Sequence, residues 1–237
     1  MCCGYEEYLM SCPENITSLK GIGEKTARLF HRLGIYDTGE LLSYYPRSYE
    51  TFEPPVKLSD APAEKTVTLE LFLLGDFKWK KVNNRSIGTG LCSDGENKVS
   101  ITYFNAPYLK KKLCAGSAYL FRGKLKQEGS KYRMDQPKLY TREEYREVCG
   151  RMLPCYGLTA GLTNKTVMKA AEKALERFSE EEYLPEEILR EYGLVSRLHA
   201  ISQVHFTKDY ESLLSARRRL VFDEFFLFLL AVRKMKE

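Results

Sequence analysis

The chain has 237 residues, 43% hydrophobic and 29% charged, an ordinary globular balance with room for one large or two small domains. A net charge of +5 is mild, yet Lys65 to Tyr145 carries 16 Lys and Arg against 8 Asp and Glu, which leaves the remainder at −3; a local surplus of this kind is the electrostatic footprint of a phosphate partner. Seven scattered cysteines without a C-x2-C pair argue against zinc, the absence of a leader pattern and the free thiols point to a reducing cytoplasm, and the apolar run Phe225 to Val232 is far short of the roughly 20 residues of a membrane span.

From Ser18 the chain reads Ser18-Leu19-Lys20-Gly21-Ile22-Gly23-Glu24-Lys25-Thr26-Ala27, then Leu29, Phe30, Leu33 and Gly34. This spacing predicts two short helices joined at Gly21-Ile22-Gly23, with Gly34 ending the second. Such a helix-hairpin-helix fits two uses equally. Gly21 and Gly23 let backbone amides approach a phosphate with Lys25 nearby, or they make a tight turn between packed helices. His31 has no second ligand and reads as a packing or surface residue. Asp37 or Thr38 caps a further helix through Leu41 and Leu42, Pro46 stops it, and Pro54-Pro55 mark a linker near residue 60.

The period then changes from about 3.6 to 2. Val67, Leu69, Leu71 and Leu73 begin a strand expected to continue through Phe77 and Trp79 to a turn at Val82-Asn83-Asn84; Ile87, Thr89 and Leu91 lie on a second, where Gly88 and Gly90 suggest a bend. A turn at Ser93-Asp94-Gly95-Glu96 leads to a third strand with Val99, Ile101 and Tyr103 inward. A short helix from Pro107 to Leu113 precedes a fourth strand through Tyr119, Phe121 and Leu125, and after a turn at Glu128-Gly129-Ser130 a fifth carries Tyr132 and Met134. Five strands with a helix between the third and fourth predict an α+β fold centred on an OB-fold β-barrel, a common binder of oligonucleotides.

Within this barrel, parity sets Phe104 outward beside Ser100 and Thr102, an anomaly on a polar face. Tyr108 follows four residues later, so the two rings can flank one base, and stacking accepts any base. For Tyr108, packing beneath the barrel mouth fits equally. Lys110, Lys111 and Lys112 are candidate phosphate contacts, as are Lys78, Lys80, Lys81 and Arg85 beside Trp79.

Beyond Arg146 the sequence is helical and acidic. Leu153 to Leu162 reads as an extended linker, Thr163 caps a helix with Val167, Ala171, Ala174 and Leu175 on one face, Glu180 to Glu182 reads as a solvated loop, Pro185 opens a helix ended by Gly193, and Ser196 caps another. A last helix runs from about Asp209 to Glu237, apolar nearly all round at Leu220, Val221, Phe225, Phe226, Phe228 and Leu229, and is expected to meet a partner domain. The expected division is thus a helical unit over 1–60, the barrel over 61–145, a linker with short helices over 146–208 and the long helix over 209–237.

There is no G-x-x-x-x-G-K-[ST] loop, so no ATP hydrolysis is expected from this chain alone; Asp223-Glu224 lies inside a helix with no strand before it, unlike a helicase carboxylate pair. Four blocks, however, resemble the amino-terminal part of the RecG family, bacterial ATP-dependent helicases that remodel branched DNA. They are Leu19-Lys20-Gly21-Ile22-Gly23 with Leu33-Gly34-Ile35, Asp37 through Leu41-Leu42 to Pro46-Arg47-Ser48-Tyr49, Tyr103-Phe104-Asn105-Ala106-Pro107-Tyr108-Leu109, and Arg217-Arg218-Arg219-Leu220-Val221-Phe222-Asp223-Glu224. Glu24 stands where such proteins often have proline after Ile-Gly.

The resemblance implies that the barrel is a wedge domain splitting the arms of a stalled fork, that Phe104 and Tyr108 stack on bases at the branch point, and that the last helix leads to a separate motor using ATP and Mg. The implied partners are branched DNA and that motor, with a cytoplasmic monomer acting in recombination and repair and no cofactor or metal held by this part. Two alternatives carry over from the residues alone: a general single-stranded nucleic-acid-binding OB module and a protein-docking module.

Overall fold

The computed structural model describes residues 13–82, 85–129 and 131–236. Cys2, Cys3 and Cys12, the expected turn at Asn83-Asn84, Ser130 and Glu237 lie outside these described residues. In chain order the elements are α1 (Glu24–His31), α2 (Thr38–Ser43), β1 (Ser48–Thr51), β2 (Thr66–Leu73), β3 (Lys78–Val82), β4 (Arg85–Ser93), β5 (Lys98–Phe104), β6 (Ala118–Glu128), β7 (Lys131–Asp135), β8 (Lys138–Tyr140), α3 (Arg142–Val148), β9 (Met152–Cys155), α4 (Asn164–Arg177), α5 (Glu186–Glu191), α6 (Arg197–His205) and α7 (Tyr210–Lys234). They fall into two compact units. One joins the described residues up to Thr51 to those from Met152 onward; the other is Phe52–Arg151.

The second unit is the barrel. β2 pairs antiparallel with β6 from Thr66↔Lys124 to Phe72↔Ala118, β6 with β7, β7 in parallel with β5, and β5 with β4, which returns to β2 through Phe72↔Ser93 and Leu73↔Cys92. This circuit is the strand order of an OB-fold. Alternation fills its centre: Leu69, Leu71, Val99, Ile101, Phe121, Leu125 and Met134 are completely buried. The 3-10 turn Pro107–Lys111 stands between the third and fourth barrel strands and sends Leu109 inward.

The strand expected to run from Val67 through Trp79 is two strands. Between the pairs Leu73↔Cys92 and Lys78↔Thr89 the chain advances five residues on one side and three on the other, so two residues bulge out and the ladder restarts. β8, paired with β6 through Phe121↔Leu139, is a further strand that the period-two pattern did not announce. Thr141 then caps α3 in a reciprocal box with Glu144, and buried Tyr145 donates its hydroxyl to Glu53 O at 2.6 Å while Thr68 Oγ1 lies 2.7 Å away.

In the other unit a core of Ile16, Phe30, Leu41, Leu42, Val167, Ala170, Ala200, Ile201 and Ala216 joins residues from both ends of the chain. The first helix of the expected hairpin is a single 3-10 turn, Ile16–Ser18, because Asn15 caps it and Leu19 is already extended. Asp37, Thr163, Ser196 and Asp209 cap α2, α4, α6 and α7 through their side chains. β1 and β9 pair antiparallel from Ser48↔Cys155 to Thr51↔Met152, so the start of the expected linker at Leu153 is a strand.

The acidic loop is solvated at Glu181 but not at Glu180 or Glu182. Glu180 receives Arg197 Nε at 3.0 Å, Glu182 receives Arg219 Nη2 at 2.6 Å, and Asp223 receives both Arg219 Nε at 2.8 Å and Arg197 Nη1 at 2.9 Å. Arg219 is fully buried and Asp223 is 2% exposed. Asp223 therefore bridges two guanidinium groups, and the described residues contain no group of His, Cys, Asp or Glu arranged to hold a metal. Among the described residues no helix is long and apolar enough to cross a membrane.

Candidate nucleic-acid interface

β5 runs through the middle of the candidate surface. Val99, Ile101 and Tyr103 on one parity are buried, with Tyr103 only 3% exposed, so the other parity sends Phe104 to the outer face, where it is half-buried opposite Ile87 of β4. Burial drives the Tyr103 phenol well above its ordinary pKa, with the Cys92 and Tyr108 side chains adding to the rise; Tyr103 is thus a neutral core residue. After Phe104 the chain turns sharply at Asn105 (φ 52), Pro107 opens the 3-10 turn, and Tyr108 emerges 65% exposed. Its neighbours Leu109 and Leu113 are each 5% exposed. The turn is therefore anchored by leucines while Tyr108 and Lys110, Lys111 and Lys112 face solvent.

The second cationic element is the β3–β4 hairpin. Lys78, Lys80, Lys81 and Arg85 are exposed on it. β3 pairs with β4 from Lys78↔Thr89 to Val82↔Arg85, and Lys80 stands opposite Ile87, which in turn stands opposite Phe104. A row across three strands therefore ends on the outward ring. Trp79 takes a different position: a β-carbon added at Gly88 would lie 2.6 Å from its ring carbons, and one at Gly90 would lie 2.3 Å from Phe77. The two glycines, expected to bend the strand, open space for rings to lie on it. Phe77 sits 6.1 Å from Trp79 and 5.9 Å from Tyr103 between ring centroids, so Trp79 braces the hairpin from within while Lys78 and Lys80, of the opposite parity, point away.

Gly21, Gly23 and Lys25 belong to the helical unit. Gly21 is left-handed (φ 95) and Gly23 precedes α1, as the turn requires. The first turn of α1 carries Glu24, which works against an anion there, and the Lys173 amine donates to the Lys20 carbonyl. These features describe a turn tied to α4, with Lys25 exposed beside it.

Sequence reasoning passed over three polar residues next to the rings. The Asn105 N–H donates to Ser86 O at 2.7 Å, the Ser86 N–H donates to Asn105 Oδ1 at 3.2 Å, and Gln136 Nε2 donates to Phe104 O at 3.0 Å. An Asn directly after a strand is a signal for a left-handed turn; Gln136 carries no comparable signal.

Residues 15–177 match the family of the RecG wedge domain. The ATP-dependent DNA helicase RecG of Thermotoga maritima is 31% identical over 242 residues, which cover 99% of this chain and 30% of that protein. RecG of Bacillus subtilis is 28% identical, over 94% of this chain and 32% of its own. A solved structure of RecG bound to a three-way DNA junction superposes with a TM-score of 0.77 at 30% identity, covering 100% of this chain and 32% of that one. The chain thus spans about a third of the length of the relatives it matches.

Proposed function

This chain belongs to the RecG wedge domain family, and from that premise we propose that it is the branched-DNA-binding wedge of an ATP-dependent helicase acting in the cytoplasm on forks and junctions. The observation that carries the reading is the outward Phe104 at the end of β5 with Tyr108 exposed four residues on. In this proposal the two rings stack on the bases that unpair where the arms diverge, each worth roughly 1–3 kcal/mol. Lys110, Lys111 and Lys112 on one side and Lys78, Lys80, Lys81 and Arg85 on the other neutralise the backbones of the arms. Trp79 keeps the hairpin in place, and Lys25, exposed beside the turn that Gly21 and Gly23 make, offers a secondary backbone contact.

ATP and Mg belong, in this reading, to the motor portion that the longer relatives carry. That portion is the proposed partner of α7, where Val221 is 51%, Phe225 65%, Phe228 63% and Leu229 62% exposed, an apolar flank larger than water readily tolerates. The protein works as a monomer on this view, with branched DNA as its substrate.

The test is binding of Phe104→Ala and Tyr108→Ala to a model fork and to plain duplex. Each substitution is expected to weaken fork binding by about 1–3 kcal/mol and duplex binding by much less. Equal loss on both substrates would remove the wedge role and leave a general nucleic-acid surface.

A further inference from the structure

Two residues beside the end of β5 hold left-handed backbone without being glycine: Asn105 (φ 52), which follows Phe104 and bonds Ser86 of β4, and Gln136 (φ 50), which bonds β5 itself. The conformation is unfavourable for a residue with a β-carbon, and it persists only where surrounding contacts over-determine it. Those contacts are visible on both flanks of β5. On the β4 side the last ladder pair is Ile87↔Phe104. Beyond it, Asn105 adds one more rung by donating its N–H to Ser86 O at 2.7 Å and accepting the Ser86 N–H on Oδ1 at 3.2 Å.

On the β7 side the last pair is Thr102↔Asp135. Gln136 extends it, donating its N–H to Thr102 O at 2.8 Å and its Nε2 to Phe104 O at 3.0 Å. Each neighbour of β5 thus grips the segment around Phe104 with one backbone and one carboxamide contact, where the regular ladders have run out.

We propose that Asn105 and Gln136 are positioning residues for base stacking, whose carboxamides set the direction in which Phe104 and Tyr108 leave the barrel before DNA arrives. The proposal rests on the wedge reading above. Without the grip the segment would be ordered only on binding, and the ordering would be deducted from affinity. Because Asn105 also grips Ser86, next to Arg85, it fixes the register between the hairpin cations and the rings. The DNA then meets both as one preset surface, which favours a branch point over a uniform duplex.

Asn105→Gly and Gln136→Gly delete the carboxamides while retaining the left-handed backbone, so the fold is kept. Affinities of the 237-residue chain for a fork and for duplex, with 2-aminopurine fluorescence at the branch, are the readouts. Each glycine variant is expected to weaken fork binding about three- to tenfold, as removal of one hydrogen bond of ordinary strength implies, with the duplex affinity and the melting temperature close to wild type and the branch fluorescence diminished. Asn105→Asp, which retains the acceptor toward Ser86, is expected to keep the fork-to-duplex ratio. In a Phe104→Ala background, Asn105→Gly should add a smaller loss than it causes in wild type, since part of its effect acts through that ring. Wild-type fork binding by the glycine variants, or a parallel loss on duplex, overturns the proposal. If Phe104→Ala abolishes fork preference while the glycine variants retain it, only the positioning role falls; if Phe104→Ala leaves the preference intact, the wedge reading falls with it.

Discussion

In the barrel Lys80, Lys81 and Arg85 stand in solvent, whereas in the helical unit Arg219 is fully buried, and Asp223, its partner at 2.8 Å, is 2% exposed. Two tyrosines repeat the contrast. Tyr108 faces water, while Tyr156 is 6% exposed with its hydroxyl 2.8 Å from His205 Nδ1. The same residue types therefore serve two purposes set by solvation. A cation in water keeps its charge available to a phosphate, while one buried among carboxylates has its charge consumed internally and contributes specificity of packing. Net charge alone, at +5, blends the two and says little about either.

Removing a buried cation is the severest way to sharpen that contrast. Arg219→Ala would leave Glu182 without its guanidinium and Asp223 with Arg197 alone, and is expected to cost the helical unit about 3–5 kcal/mol. Trp79 is the chain's one tryptophan and sits in the barrel, so its fluorescence follows the barrel while circular dichroism at helical wavelengths follows the helical unit. The dichroism transition should move to much lower denaturant than the fluorescence transition. If both moved equally, the units would not be energetically distinct and the contrast would fail.

These residues also show how far a sequence can be read. The outward parity of Phe104 was legible because a strand's period of two is local, and Val99, Ile101 and Tyr103 declare the inner face within five positions. The capping residues Asp37, Thr163 and Ser196 were legible for the same reason. Glu180 and Glu182 were not, because a carboxylate with a distant partner, here Arg197 or Arg219, has the same local sequence as a solvated one. The β1–β9 ladder and the ring-on-glycine contacts of Trp79 with Gly88 and Phe77 with Gly90 depend on pairings between separate segments, which no local period encodes. Gln136 is legible only once β7 is known to lie beside β5.

A second contrast is in pH. All three histidines, His31, His199 and His205, belong to the helical unit. His205 is fully buried, with Nδ1 facing the Tyr156 hydroxyl and Nε2 lying 2.9 Å from Leu42 O, a set satisfied by the neutral ring with its proton on Nε2. Burial holds its pKa below the ordinary 6.5. The unfolded chain therefore takes up the proton first, so this stabilisation is complete above about pH 6.5 and declines as pH falls through that value, by at most about 1.4 kcal/mol per pH unit. Glu180, raised by burial above 4.5, acts with the opposite sign nearer pH 4.5. Between about pH 7.5 and 5.5, the interval that brackets an ordinary histidine, the dichroism transition should weaken in wild type and weaken less in His205→Gln, while the Trp79 transition holds. An identical pH response in His205→Gln would assign the effect elsewhere.

The smallest effect belongs to the exposed side of the contrast and bears most directly on the proposed function. Lys80 stands opposite Ile87 and, through it, in line with Phe104, so it is the hairpin cation in the row that ends on the ring proposed to stack. Lys80→Ala disturbs nothing buried, and stability should stay within about 0.5 kcal/mol of wild type. Neutralising a phosphate releases a counterion, so the slope of log K against log salt on a fork should fall by about 0.9 in magnitude when this one ammonium group is taken away. Stacking by Phe104 has no such dependence, and Phe104→Ala should leave the slope unchanged while lowering affinity at every salt concentration. A slope unmoved by Lys80→Ala would place that lysine among the merely solvated charges, and the line from hairpin to ring would then carry no phosphate.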